Sequence, residues 1–136
     1  MSEGYINWIK RAESSLALAK VDRDESIFYE DLCFQLQQAS EKILKAFLLL
    51  NNVSFPKTHS FRILLKQIKE ITEYPDSVRR VIELEDYAVQ TRYPGDYTPV
   101  EKEEYLEALE ITENVFKWVK GFINTKAARV ETDSLC

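Results

Sequence analysis

Gln37-Gln38-Ala39-Ser40-Glu41-Lys42-Ile43-Leu44-Lys45-Ala46 sets amides, an acid and two lysines inside a stretch that otherwise reads as one long buried helix. On either side of it, Leu32, Leu36, Ala39, Ile43, Phe47 and Leu50 fall on one helical stripe, which predicts a helix from near Ile27 to about Asn51. At about 100° per residue, Phe34, Leu44 and Leu48 lie off that stripe, so the helix is apolar on more than one side and is expected at the centre of the fold. Gln38, Lys42 and Lys45 share a flank about 60° wide, where a polar site has room to open.

The rest of the chain repeats the helical period. Tyr5, Trp8, Ile9, Ala12, Leu16 and Ala19 predict a first helix over Tyr5 to about Val21, and the short charged connector Asp22–Ser26 turns the second helix back against it. Thr58 or Ser60 is placed to cap a third helix carrying Phe61, Leu64, Leu65 and Ile68. A fourth is predicted to begin at Pro75 or Asp76, to carry Val78, Val81, Ile82, Leu84 and Ala88, and to end before Pro94. Thr98-Pro99-Val100-Glu101 predicts the start of a fifth, with threonine as cap, proline at the first helical position and glutamate completing a capping box. Two neighbouring stripes on that helix, one through Tyr105, Leu109, Thr112, Phe116, Val119 and Ile123 and one through Ile111, Val115, Trp118 and Phe122, span about 180°. An arc wider than the roughly 100° of an ordinary surface helix points to either a central position or a subunit contact.

These elements make the expected fold all-α, an antiparallel up-and-down bundle of four main helices plus a short additional one. Three glycines and four prolines leave little for a turn-rich β architecture. The 136 residues are the size of one domain, expected over 1–125, with a patternless and mobile tail over 126–136. Cys33 and Cys136 form no metal spacing and no disulfide framework, which fits a reducing cytoplasm. No segment reaches the roughly 18 apolar residues of a membrane span, and neither export nor membrane insertion is expected. A formal net charge of −5 argues against a general grip on nucleic acid, leaving a local basic pocket as the route to an anion.

Arg92-Tyr93-Pro94 stands at a helix end, where Arg92 can act as a bidentate anion clamp; paired with Asp86 or Asp96 it would be structural instead. Lys42 and Lys45 can add positive charge, although Glu41 and Lys45, four residues apart, also make a favourable helix pair. Gln38 must find a hydrogen-bond partner in a ligand or a neighbouring helix. His59, the sole histidine, sits where a ring caps or packs. No serine, cysteine or carboxylate pair declares a nucleophile or a metal site, and no cofactor is expected.

Phe34 to Phe47, Thr58-His59-Ser60-Phe61 and Arg92-Tyr93-Pro94 together resemble the HEPN family. The glutamine, alanine, glutamate and lysine usual there match Gln38, Ala39, Glu41 and Lys42; the start of the following helix matches Thr58-His59-Ser60; and the close of the fourth matches Arg92, Tyr93 and Pro94. The resemblance spans nearly all of residues 5 to 125. It implies a helical bundle, usually a homodimer, tied to nucleotide or RNA chemistry and often encoded beside a minimal nucleotidyltransferase as one half of a toxin–antitoxin pair.

Ribonuclease members of the family carry a histidine a few residues after the arginine. Here Tyr93, Pro94, Gly95, Asp96, Tyr97, Thr98 and Pro99 follow Arg92, and the phenol of Tyr97 is a poor base near neutral pH. The expectation is therefore a non-catalytic dimer that binds a nucleotide or other phosphate-bearing ligand through Arg92, Tyr93 and Lys42, supported by Gln38 and Lys45. The alternatives are an interaction module for a nucleotidyltransferase partner, or a metal-independent ribonuclease toxin.

Overall fold

The structure, a computed structural model, describes the backbone of residues 3–88 and 99–135 and the side chains of residues 4–88 and 99–125. Among the described residues every regular element is helical: α1 (Glu3–Ala19), α2 (Tyr29–Leu50), α3 (Phe61–Lys69), α4 (Asp76–Arg79) continued by a 3-10 helix (Arg80–Ala88), and α5 (Lys102–Leu135).

Small side chains decide how the first two helices meet. Ala12, Ser15 and Ala19 form the inward face of α1, all of them buried, so α1 packs closely along α2. The pair is antiparallel, with Gly4 against Leu49 toward one end and Ser15 against Lys42 further along. Helix α5 lies on another side of α2 and runs parallel to it. Tyr29 meets Tyr105 with ring centroids 5.4 Å apart, Ser40 meets Thr112 at 3.1 Å between hydroxyls, and Phe47 meets Trp118 at 5.0 Å and Phe122 at 4.7 Å. Leu36, Ala39, Ile43, Leu44, Phe47 and Leu48 are fully buried, which makes α2 the central rod that its double-sided apolar pattern predicted.

The wide apolar arc of α5 is used inside the chain. Ala108, Ile111, Val115, Phe116 and Val119 are buried, while Tyr105, Leu109, Trp118, Phe122 and Ile123 pack at their edge. Thr112, also buried, donates to the Ala108 carbonyl at 3.0 Å, so its hydroxyl costs the core no unsatisfied group.

Three features differ from expectation. The predicted fourth helix is one α-turn followed by nine residues of 3-10 helix. The cause is visible in its buried row: Val78, Val81 and Leu84 recur at strict threes, with half-buried Tyr87 next, and only a helix of three residues per turn stacks such a row on one face. Helix α5 begins at Lys102 rather than at Pro99; the Glu101 carbonyl accepts the first helical bond, from the Tyr105 amide at 3.1 Å, and Val100 is tucked into the core. Thr98, the expected cap, lies outside the described residues. At the other end the α5 backbone stays helical to Leu135, through the segment where the sequence offered only an unpatterned tail.

Candidate functional site

Residues four apart on α2 share one line along the helix, and Gln37, Glu41 and Lys45 occupy that line with side chains almost wholly out of water. A buried polar row is tolerated only when every member is satisfied. The Gln38 amide donates to Gln37 Oε1 at 2.7 Å, and Gln37 Nε2 donates to Glu41 Oε1 at 3.0 Å. Lys45 Nζ donates to Glu41 Oε2 at 2.9 Å. His59, from the connection between α2 and α3, places Nδ1 2.8 Å from Glu41 Oε1.

Glu41 is the hub of this network. Burial alone would raise its carboxyl, but the hydrogen bonds from Lys45, His59 and Gln37 outweigh burial and hold it below the usual carboxylate value. It is therefore an anion that can only accept, so His59 Nδ1 is the donor toward it. The Lys45 ammonium is also held by two rings, 5.6 Å from the centroid of Trp8 on α1 and 5.3 Å from that of Phe55 before α3. His59 itself is 70% exposed. The α3 cap is the next residue, Ser60, whose Oγ accepts from the Ile63 amide at 3.4 Å, while Glu85 accepts from the Phe61 amide at 2.6 Å.

Lys42 is on the same helix but turned toward α1. Its Nζ donates to Ser15 Oγ at 2.9 Å. Burial, then the neighbouring guanidinium of Arg11, push its ammonium below the ordinary lysine value, with Glu41 pulling the other way. Among the described residues neither Lys42 nor Arg11 has a carboxylate within ion-pair distance, a state they share with exposed cations such as Arg62 and Lys66, whereas Lys20, Lys45, Lys69, Arg79, Arg80 and Lys120 each have at least one. Lys42, half-buried, thus lies near enough to Arg11 to be influenced by its charge, with Glu41 as the opposing charge but no carboxylate within ion-pair distance of either cation among the described residues. An anion is the group that such a site lacks.

The predicted site residues divide accordingly. Lys42 donates to Ser15 and has no carboxylate within ion-pair distance among the described residues. Lys45 is paired with Glu41 and held against Trp8 and Phe55, as the spacing of four residues suggested. Gln38 finds its partner within its own helix, in Gln37. Arg92 and Tyr93 lie outside the described residues. Arg11 went unread: an arginine on the polar side of an amphipathic helix carries no signal until the seam beside it is known. The Glu41 hub was legible in the spacing of Gln37, Glu41 and Lys45 but was read as a single surface-type pair. Among the described residues no group of three or more His, Cys, Asp or Glu is arranged to hold a metal ion, and none of the helices is long and apolar enough to cross a membrane.

Comparison with known proteins agrees with the helical fold. The HEPN domain family model matches residues 5–122. A Methanocaldococcus jannaschii protein named "Putative toxin MJ1304" is 33% identical over 134 residues, covering 88% of each chain. The crystal structure of TT1696 from Thermus thermophilus superposes with a TM-score of 0.74 at 27% identity, over 86% of this chain and 96% of that one. ST0689, described as an archaeal HEPN homologue, superposes with a TM-score of 0.68 at 28% identity, over 88% and 97%. With the match running from the first turns of α1 almost to the end of the packed part of α5, this chain belongs to the HEPN family.

Proposed function

We propose that the chain is a binding member of a toxin–antitoxin-type system, a homodimer that captures a nucleotide or other phosphate-bearing ligand without cleaving it. The observation that carries this reading is Lys42, half-buried on α2 with only the Ser15 hydroxyl as a hydrogen-bond partner among the described residues and the charge of Arg11 near enough to lower its ammonium. A phosphate drawn to these two cations would relieve their repulsion and gain charge-assisted hydrogen bonds, with Arg92 and Tyr93 completing the contact. The toxin–antitoxin setting is supported by the relative named as a toxin, and a minimal nucleotidyltransferase is the partner proposed for co-purification. Because the apolar arc of α5 is spent within the subunit, the proposed dimer uses other faces.

Isothermal titration with ATP and GTP tests the reading. Saturable heat is expected for the wild type, weakened about tenfold or more in Lys42→Ala, since a hydrogen bond to a charged group contributes about 1.5–3 kcal/mol. No saturable heat with either nucleotide removes the proposal.

One observation favours a second reading, cleavage of RNA with His59 as base. A buried carboxylate orienting an exposed imidazole is the arrangement a general base needs. If it operates, purified protein degrades RNA in the presence of a chelator and His59→Ala stops it while Lys42→Met does not.

A further inference from the structure

Helix α3 is basic along the side that faces α4. Between that side and the start of the 3-10 helix lies an open groove of about 570 Å³, within the range of sites that take nucleotide-sized ligands. Arg62, Lys66, Lys69 and Arg79 line it against a single acidic residue, Glu70, in a chain whose net charge is −5. Leu65 and Ile82 supply an apolar floor, and Tyr74 presents an aromatic ring with Lys69 Nζ 5.5 Å from its centroid.

The four cations are not equivalent. Lys69 pairs with Glu73 at 2.7 Å and Arg79 with Asp76 at 3.0 Å, but all four of these side chains are more than half exposed, and pairs of that kind hold their partners weakly enough for a phosphate to replace them. Arg62 and Lys66, four residues apart on one exposed face, have no carboxylate within ion-pair distance among the described residues. Lys66 and Lys69 can be accounted for by the α3 C-terminus, whose carbonyls favour positive charge. Arg62 cannot: it sits in the first turn, where the helix dipole disfavours a cation, and Glu85 nearby is occupied with the Phe61 and Arg62 backbone amides.

Unpaired cations spaced one helical turn apart beside an aromatic face meet the needs of a nucleotide strand, whose phosphates repeat while its bases seek a surface to stack on. An acidic peptide would use the charges but leave the ring and apolar floor without a matched group. We infer that the α3–α4 groove is a second anion site, independent of the Arg11–Lys42 pair, that binds single-stranded nucleic acid with Arg62 and Lys66 on the backbone and Tyr74 under a base.

Fluorescence anisotropy with fluorescein-labelled oligo-uridine and oligo-thymidine octamers in low salt tests this on the full chain. The Arg62→Ala/Lys66→Ala double variant is expected to bind about tenfold more weakly and to lower the slope of log affinity against log salt by about 1.4, at roughly 0.7 per phosphate contact on a single strand. Tyr74→Leu, which keeps an apolar side chain there, is expected to weaken binding at least about fivefold. Lys117→Ala, which removes an exposed cation outside the groove, leaves it unchanged. Tighter binding of the uridine strand assigns the natural ligand to RNA, and equal binding assigns it to either strand. The inference is overturned if neither octamer binds, if the double variant binds as the wild type does, or if polyglutamate or adenosine monophosphate displaces the strand as readily as unlabelled octamer. Circular dichroism of each variant separates lost contact from lost folding.

Discussion

Lys42 and Lys45 stand three residues apart on one helix and end in opposite electrostatic states. Lys45 is closed in by Trp8 and Phe55 and tied to a carboxylate that two further side chains hold. Lys42 reaches a hydroxyl and meets a second cation. About 60° of helical rotation separates them, enough to point one toward the α2–α3 connection and the other toward the α1–α2 seam. On a central helix, a lysine that completes a network serves the fold, and one whose only hydrogen-bond partner among the described residues is a neutral hydroxyl is where the proposed ligand is sought.

The largest effect should come from breaking the closed side. Glu41→Ala leaves the Lys45 ammonium buried without its anion and is expected to destabilise the protein by about 3–5 kcal/mol in urea denaturation. If it costs less than about 1 kcal/mol, the network is not the hub described. Adding Lys45→Met to that variant should recover most of the loss, because the stranded charge goes with it.

Phe47→Ala, beneath Trp118 and Phe122, calibrates the same helix by its apolar side at about 3–5 kcal/mol. A cost similar to that of Glu41→Ala would mean that the polar ladder and the core secure α2 about equally.

Acid sharpens the contrast. The Glu41 carboxyl is depressed in the folded state, so the stability it contributes is present above its unfolded value of about 4.5 and is lost as pH falls below that. The Lys42 ammonium is depressed as well, so its slope has the same sign: the unfolded chain holds the proton more firmly, and a destabilisation present at neutral pH is relieved as pH climbs toward 10.5. Denaturation midpoints of Glu41→Gln against wild type between about pH 3 and 6, and of Lys42→Met against wild type between about pH 8 and 10.5, should each remove one of these slopes.

The smallest effect belongs to the open side. Lys42→Met is expected to change stability by no more than about 0.5 kcal/mol at neutral pH. A loss of several kcal/mol would place Lys42 with Lys45 as a structural residue and dissolve the comparison.

Much of the fold was legible because α2 is apolar on two sides and therefore central, and because Ser60 and the stripe of α1 follow rules that act within a few residues. The 3-10 geometry after α4 was legible as well, in the strict threes of Val78, Val81 and Leu84, but a reading tuned to threes and fours together took it for an ordinary helix. The start of α5 was misplaced because a capping pattern states what a terminus can do, whereas burial of Val100 decides where the backbone bends. The candidate site was half legible. Lys42 follows from the helical wheel of α2 alone, but Arg11 becomes its neighbour only when two helices meet, and no periodicity within either one encodes that meeting.

The ring pair around Lys45 joins three separate lengths of chain, with Trp8 from α1, Phe55 from the stretch leading to α3, and the ammonium from α2. An indole in that position is a natural optical gauge. With Trp118 replaced by phenylalanine, emission from Trp8 alone would report on the packing of this cluster, with and without a ligand, without any attached dye.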